Sequence, residues 1–92
     1  MSTKEKVLEK VKTDTKIQEN HEIVLYNDDH NTFDHVIESL IAACDHTAEQ
    51  AEQCAVLVHY KGQCTVKTGA FTDLKPRCSK LLDAGLSAEI LG

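Results

Sequence analysis

The amino-acid sequence predicts an α+β fold: a small three-stranded antiparallel sheet with three helices on one face, in the order β-α-α-β-α-β. Three observations predict it. The chain has 92 residues, enough for one modest core and too few for two. Three short β-branched or alternating runs stand between turn residues, which is too few strands for a sandwich. The stretches between them carry apolar residues at helical spacing.

Residues 1–20 are dense in Lys, Glu and Thr, with Val7, Leu8, Val11 and Ile17 as isolated apolar points. They read as a flexible N-terminal arm ahead of a core domain over 21–92. "HEIVLYN" (His21 to Asn27) is a strand, β-branched and aromatic at its centre. Asp28 to Thr32 is the turn. Asn31 suits a helix N-cap with Asp34 three residues on, and Phe33, Val36, Ile37, Leu40, Ile41 and Cys44 give the first helix its core face. "DHTAEQAE" starts a second helix, with Thr47 as N-cap and Glu49 and Glu52 near its positive end. Ala51, Cys54, Ala55 and Val58 form its stripe, and Gly62 ends it. "QCTVKT" alternates and reads as the second strand. Thr72 or Asp73 opens the third helix, where Pro76 is tolerable in or near the first turn. Cys78, Leu81 and Leu82 supply its apolar side, Gly85 stops it, and "LSAEIL" is the last strand.

Composition narrows the partners. The net charge is −5, whereas a duplex-binding protein of this size carries a basic stripe, so nucleic acid is disfavoured and amine-bearing partners are favoured. No apolar run approaches bilayer length, and the N-terminus lacks the apolar core of a signal peptide; a cytoplasmic protein without a membrane anchor is expected. The four cysteines form no CxxC pair, and core thiols are the expected state. Cys44 and Cys54 lie on apolar faces without a neighbouring base, so a thiol nucleophile is disfavoured. His35 and His46 look exposed or boundary and receive no role. Asn27, Asp29, Asn31 and Glu38 imitate the start of a calcium loop, but the sixth-position Gly is missing and the helix begins inside it. No metal or other cofactor is expected.

The chemistry gathers around "NDD" (Asn27, Asp28, Asp29). Asx residues bond their own backbone, and a turn explains part of this run. His59 adds a second element: at the end of the second helix it shares a face with Ala55 and Val58. A groove between the start of helix one and the end of helix two has an apolar floor. Its polar lip is Asn27, Asp29 and His59. That suits a ligand carrying an ammonium beside an apolar side chain.

"VLYNDD", a helix start, and then "VHYKG" resemble the ClpS family, adaptors of the bacterial Clp protease in the N-degron pathway, over roughly His21 to Leu91. The resemblance implies a non-enzymatic adaptor, expected as a monomer. Such an adaptor binds proteins whose first residue is Leu, Phe, Tyr or Trp and hands them to a ClpA-type AAA+ unfoldase. It also implies that Asn27, Asp29 and His59 bond the α-amine and that Asp28 holds the following backbone. Asn31, Phe33, Val36, Ala55 and Val58 then line the side-chain pocket. Asn31 stands where Thr is common, and Phe33 and Ala55 stand where Met is common. Lys75 matches a lysine that docks on the unfoldase, while Ala70 replaces a common acidic docking residue. The competing readings are a small metal-binding or thiol-chemistry protein using the scattered His and Cys residues, and a purely structural assembly module.

Overall fold

A computed structural model describes residues 21–92. The arm expected over 1–20 lies outside the described residues. The elements are β1 (His21–Tyr26), α1 (Phe33–Cys44), α2 (Ala48–Lys61), β2 (Gln63–Gly69), α3 (Phe71–Asp83) and β3 (Ser87–Leu91). The sheet runs β2-β1-β3, antiparallel throughout, so the α+β class and element order are those expected from sequence.

β1 is the central strand, which explains its continuous apolar run. Ile23 and Leu25 join the main core with Leu40, Cys44, Ala51, Leu74 and Leu81. Each of these Ile and Leu side chains removed from water contributes roughly 1.5–3 kcal/mol before entropy is counted. Val24, also buried, falls outside that cluster and has Thr65 and Glu89 as its cross-strand neighbours. The Thr65 hydroxyl donates to Glu22 at 2.6 Å and the Tyr26 hydroxyl to Glu89 at 2.9 Å. These polar pairs occupy the positions around Val24. Ile23 pairs with Lys67 but Val24 with Thr65, so Val66 is the extra residue of a bulge in β2.

Several boundaries differ from expectation. Thr32, not Asn31, caps α1, its hydroxyl accepting from the His35 N–H at 3.1 Å. Asn31 is occupied inside the preceding loop. Phe33 and Ile41 are about two-fifths exposed, and the core face of α1 is Leu40, Ala43 and Cys44, with Val36 and Ile37 packed against it. Thr47 caps α2 as expected, and Gln50 completes a reciprocal capping box. α3 begins at Phe71 after Ala70, with no side-chain cap, and Pro76 lies inside it. Leu74 fills the core side expected of Leu82, which is half exposed.

The corner after α1 is held by side chains. Asp45 adopts a left-handed φ of 58°. Arg77 Nη1 donates to Asp45 Oδ2 at 3.0 Å and to the Ala43 carbonyl at 3.2 Å, and Nε donates to Asp73 Oδ2 at 3.3 Å. The guanidinium therefore neutralises one end of α1 and ties it to α3. His46 Nε2 meets the Val66 carbonyl at 2.6 Å and His35 Nε2 the Ala84 carbonyl at 2.8 Å, so both partly buried histidines tie elements together.

Candidate functional site

The site is built at the junction of β1, α1 and α2. α2 ends at Gly62, whose φ of 93° suits glycine, and its N–H donates to the Val58 carbonyl at 3.0 Å. The Gly62 carbonyl then accepts from the Asn27 N–H at 2.9 Å. One residue thus closes α2 and anchors the exit of β1. This clamp brings Asn27 to the helix end that carries His59.

Asp28 builds the loop. Its Oδ1 accepts from the N–H groups of His30 and Asn31 at 3.0 and 3.1 Å, and both its oxygens accept from Asn31 Nδ2 at 3.0 and 2.9 Å. Asn31 Nδ2 also donates to the Gly85 carbonyl at 2.9 Å, tying the loop to the α3–β3 turn. Burial raises the Asp28 pKa, but these hydrogen bonds outweigh it and hold the carboxyl below its ordinary value. Asp29 is exposed, and its side chain enters none of the hydrogen bonds or ion pairs among the described residues. Two adjacent carboxylates therefore have different conditions: one is committed to the loop, the other has no side-chain partner among the described residues.

These elements enclose an open cavity of about 580 Å³. Its polar side carries Asn27, Asp28, Asp29, Asn31 and His59, and its apolar side Phe33, Val36, Ala55 and Val58. All nine cavity residues singled out from the sequence meet at this one depression. Val56 and Tyr60 also line it and were missed. They lie four apart on the solvent side of α2, and that spacing was the available signal. The Tyr60 ring, 78% exposed, stands edge-on to His59 with centroids 4.9 Å apart. Lys75 is exposed on α3, outside the cavity.

The Asp29 carboxylate, the Asn27 amide and the His59 imidazole at the lip can accept hydrogen bonds from an ammonium, while the apolar wall takes a side chain. Among the described residues, no group of three or more His, Cys, Asp or Glu side chains is placed to hold a metal ion. No helix there is long and apolar enough to cross a membrane.

Comparison with known proteins is consistent with this geometry. Residues 16–89 match the family described as ATP-dependent Clp protease adaptor protein ClpS. The ATP-dependent Clp protease adapter protein ClpS of Thermosynechococcus vestitus is 35% identical over 69 residues, covering 74% of this chain and 73% of that one. The structure of Agrobacterium tumefaciens ClpS2 bound to L-phenylalaninamide has the same fold. It aligns with a TM-score of 0.76 and 16% identity, over 80% of this chain and 96% of that one. The chain belongs to the ClpS family, adaptors of the ATP-dependent Clp protease.

Proposed function

We propose that this adaptor captures proteins by a free N-terminal residue with a large apolar side chain, Leu, Phe, Tyr or Trp, and delivers them to a ClpA-type AAA+ unfoldase. The observation that carries the reading is the union, in one cavity, of Asp29, Asn27 and His59 with the apolar wall of Phe33, Val36, Ala55 and Val58. L-Phenylalaninamide, the ligand of the Agrobacterium relative, has both features that such a cavity selects: an α-amine and an apolar ring.

An isolated surface ion pair is worth little. Three acceptors converging on one ammonium, shielded by the bound peptide, form stronger charge-assisted bonds. Burial of the first side chain adds roughly 1.5–3 kcal/mol. Specificity then follows from needing both parts. A small or charged first side chain leaves the apolar wall wet or buries a charge.

In this reading the adaptor acts as a cytoplasmic monomer and performs no chemistry on its cargo. Asp28 and Asn31 shape the lip, Lys75 contributes to docking on the unfoldase, and residues 1–20 serve delivery rather than capture. The test is fluorescence anisotropy with peptides that differ in their first residue alone. Leu, Phe, Tyr and Trp peptides should bind with Kd on the order of micromolar or tighter, and Ala, Glu and Lys peptides at least about tenfold more weakly. Equal affinity across the series would overturn the selective pocket.

A further inference from the structure

Two residues at the mouth of the cavity have no part in holding the first residue. Val56 and Tyr60 line it four residues apart, and so about one turn apart, on α2. Val56 is about two-fifths exposed and Tyr60 almost fully so, and neither belongs to the core. Tyr60 nevertheless stays at the ammonium end of the site. It follows His59, and the two rings meet edge-on with centroids 4.9 Å apart.

The depression does not stop at Val56. A second, more open hollow of about 400 Å³ lies on the solvent side of α2, lined by Glu52, Gln53, Val56 and Leu57. Val56 lines both, so the two hollows adjoin across it. An apolar ledge therefore runs from the cavity over Val56 to Leu57, which is also about two-fifths exposed.

Chain geometry determines what reaches that ledge. The α-amine is held at Asn27, Asp29 and His59, and the first side chain lies on the apolar wall. The second Cα is then about 3.8 Å from the first. Successive side chains of an extended chain point to opposite sides. The second side chain thus cannot follow the first inward and comes to rest on the rim. On the loop side that rim is polar, with Asp28, Asp29 and Asn31, and Phe33 already serves the first side chain. The apolar rim that is left is Val56 and Tyr60.

We propose that Val56 and Tyr60 form a second subsite, an apolar ledge on α2 that takes the second side chain of the captured protein and favours a large apolar or aromatic residue there. The Tyr60 ring packs against an aromatic or branched side chain, and Val56 supplies methyl groups on the other side. Asp29 and Glu52, which border the two hollows, disfavour an acidic second residue by like charge. Because the ledge is open to solvent, it selects more weakly than the cavity does.

This subsite deepens the N-terminal-residue reading and rests on it. The experiment is fluorescence anisotropy of the full chain with peptides that begin with Leu and carry Phe, Leu, Ala, Arg or Asp second. An Ala-first, Phe-second peptide is the control. Phe or Leu in second place should bind roughly threefold to tenfold more tightly than Ala, and Asp more weakly than Ala. Tyr60→Ala and Val56→Ser should each narrow the ratio between the Phe-second and Ala-second peptides by about twofold or more. Tyr60→Phe keeps the ring and should keep the ratio. Equal affinity for all second residues, a preference for Arg over Phe, variants that retain the full ratio, or variants that weaken every peptide equally would overturn the subsite while leaving first-residue selection standing. A parent that binds Leu-first peptides no better than the Ala-first control would sink the N-terminal reading, and the subsite with it.

Discussion

Asp28 and Asp29 are chemically identical neighbours with different work to do. Asp28 is consumed by the His30 and Asn31 donors, while Asp29 has no side-chain partner among the described residues and stands exposed at the lip of the cavity. Asp29→Ala or His59→Ala should therefore lower affinity for a Leu-first peptide by one to two orders of magnitude, since a lost charge-assisted bond costs about 1.5–3 kcal/mol. Urea unfolding of the same variants should stay close to that of the parent. A variant that unfolds early but binds normally when folded would reverse the assignment. Phe33 is the other informative side chain. It is 40% exposed, and its stiff ring stands at the cavity where a flexible Met is common in the family it resembles. Phe33→Ala should weaken Leu and Phe peptides modestly and narrow their advantage over β-branched Ile and Val, a graded change on the scale of about 1–3 kcal/mol. Matched titrations decide it: equal loss for all four would make Phe33 a support and not a gate. The cavity residues were legible because two short motifs, "NDD" and "VHYKG", pin both sides of the site. Val56 and Tyr60 escaped because core-face reasoning ignores apolar residues on the solvent side of a helix.

At the level of elements, the site depends on how helices end. Gly62 holds φ at 93° with open space where a Cβ would be, so Gly62→Ala meets backbone strain and no clash. The cost should be roughly 1–2 kcal/mol. Because the Gly62 carbonyl anchors Asn27, peptide affinity should fall with it. Thr47→Ala is the matched control at the other end of α2. Loss of its cap should cost about 1 kcal/mol and leave affinity unchanged. Denaturation and anisotropy on the two variants test the difference; equal binding by both would detach the clamp from the site. Thr47 and Gly62 were readable because each end has its own local chemistry. The start of α1 was not, because Asn31 is a good cap by composition but is recruited by Asp28 and the distant Gly85 carbonyl. α3 was misplaced for a related reason: Ala70 offers no side-chain cap, and Thr72 and Asp73, which look like caps, already lie within the first turn. A long-range contact decided the first boundary, and the second had no side-chain cap to read.

For the whole molecule, two carboxylates link stability to acid. Hydrogen bonding from Arg77 and its charge hold Asp45 below its ordinary value; at Asp28, backbone and Asn31 donors outweigh burial to the same end. Folded pKa values below unfolded ones mean that the unfolded chain takes up these protons first. The stabilisation is thus complete above the ordinary aspartate range and is lost as pH falls through the folded values. Urea midpoints measured from about pH 6 down to about pH 2 should decline, and Asp45→Asn should flatten part of that decline. An unchanged slope in the variant would mean that the Arg77 pair does not couple to folding.

The net charge of −5, the exposed Asp29 and the apolar wall beside it converge on one claim: the cavity reads an unblocked N-terminal ammonium together with its side chain. The most direct test compares two peptides of identical sequence beginning with Leu, one with a free α-amine and one acetylated. Acetylation removes the charge and keeps the side chain. The account predicts that the acetylated peptide loses about one to two orders of magnitude in affinity. Equal binding of the two peptides would contradict it and reduce Asn27 to Asp29 to a turn.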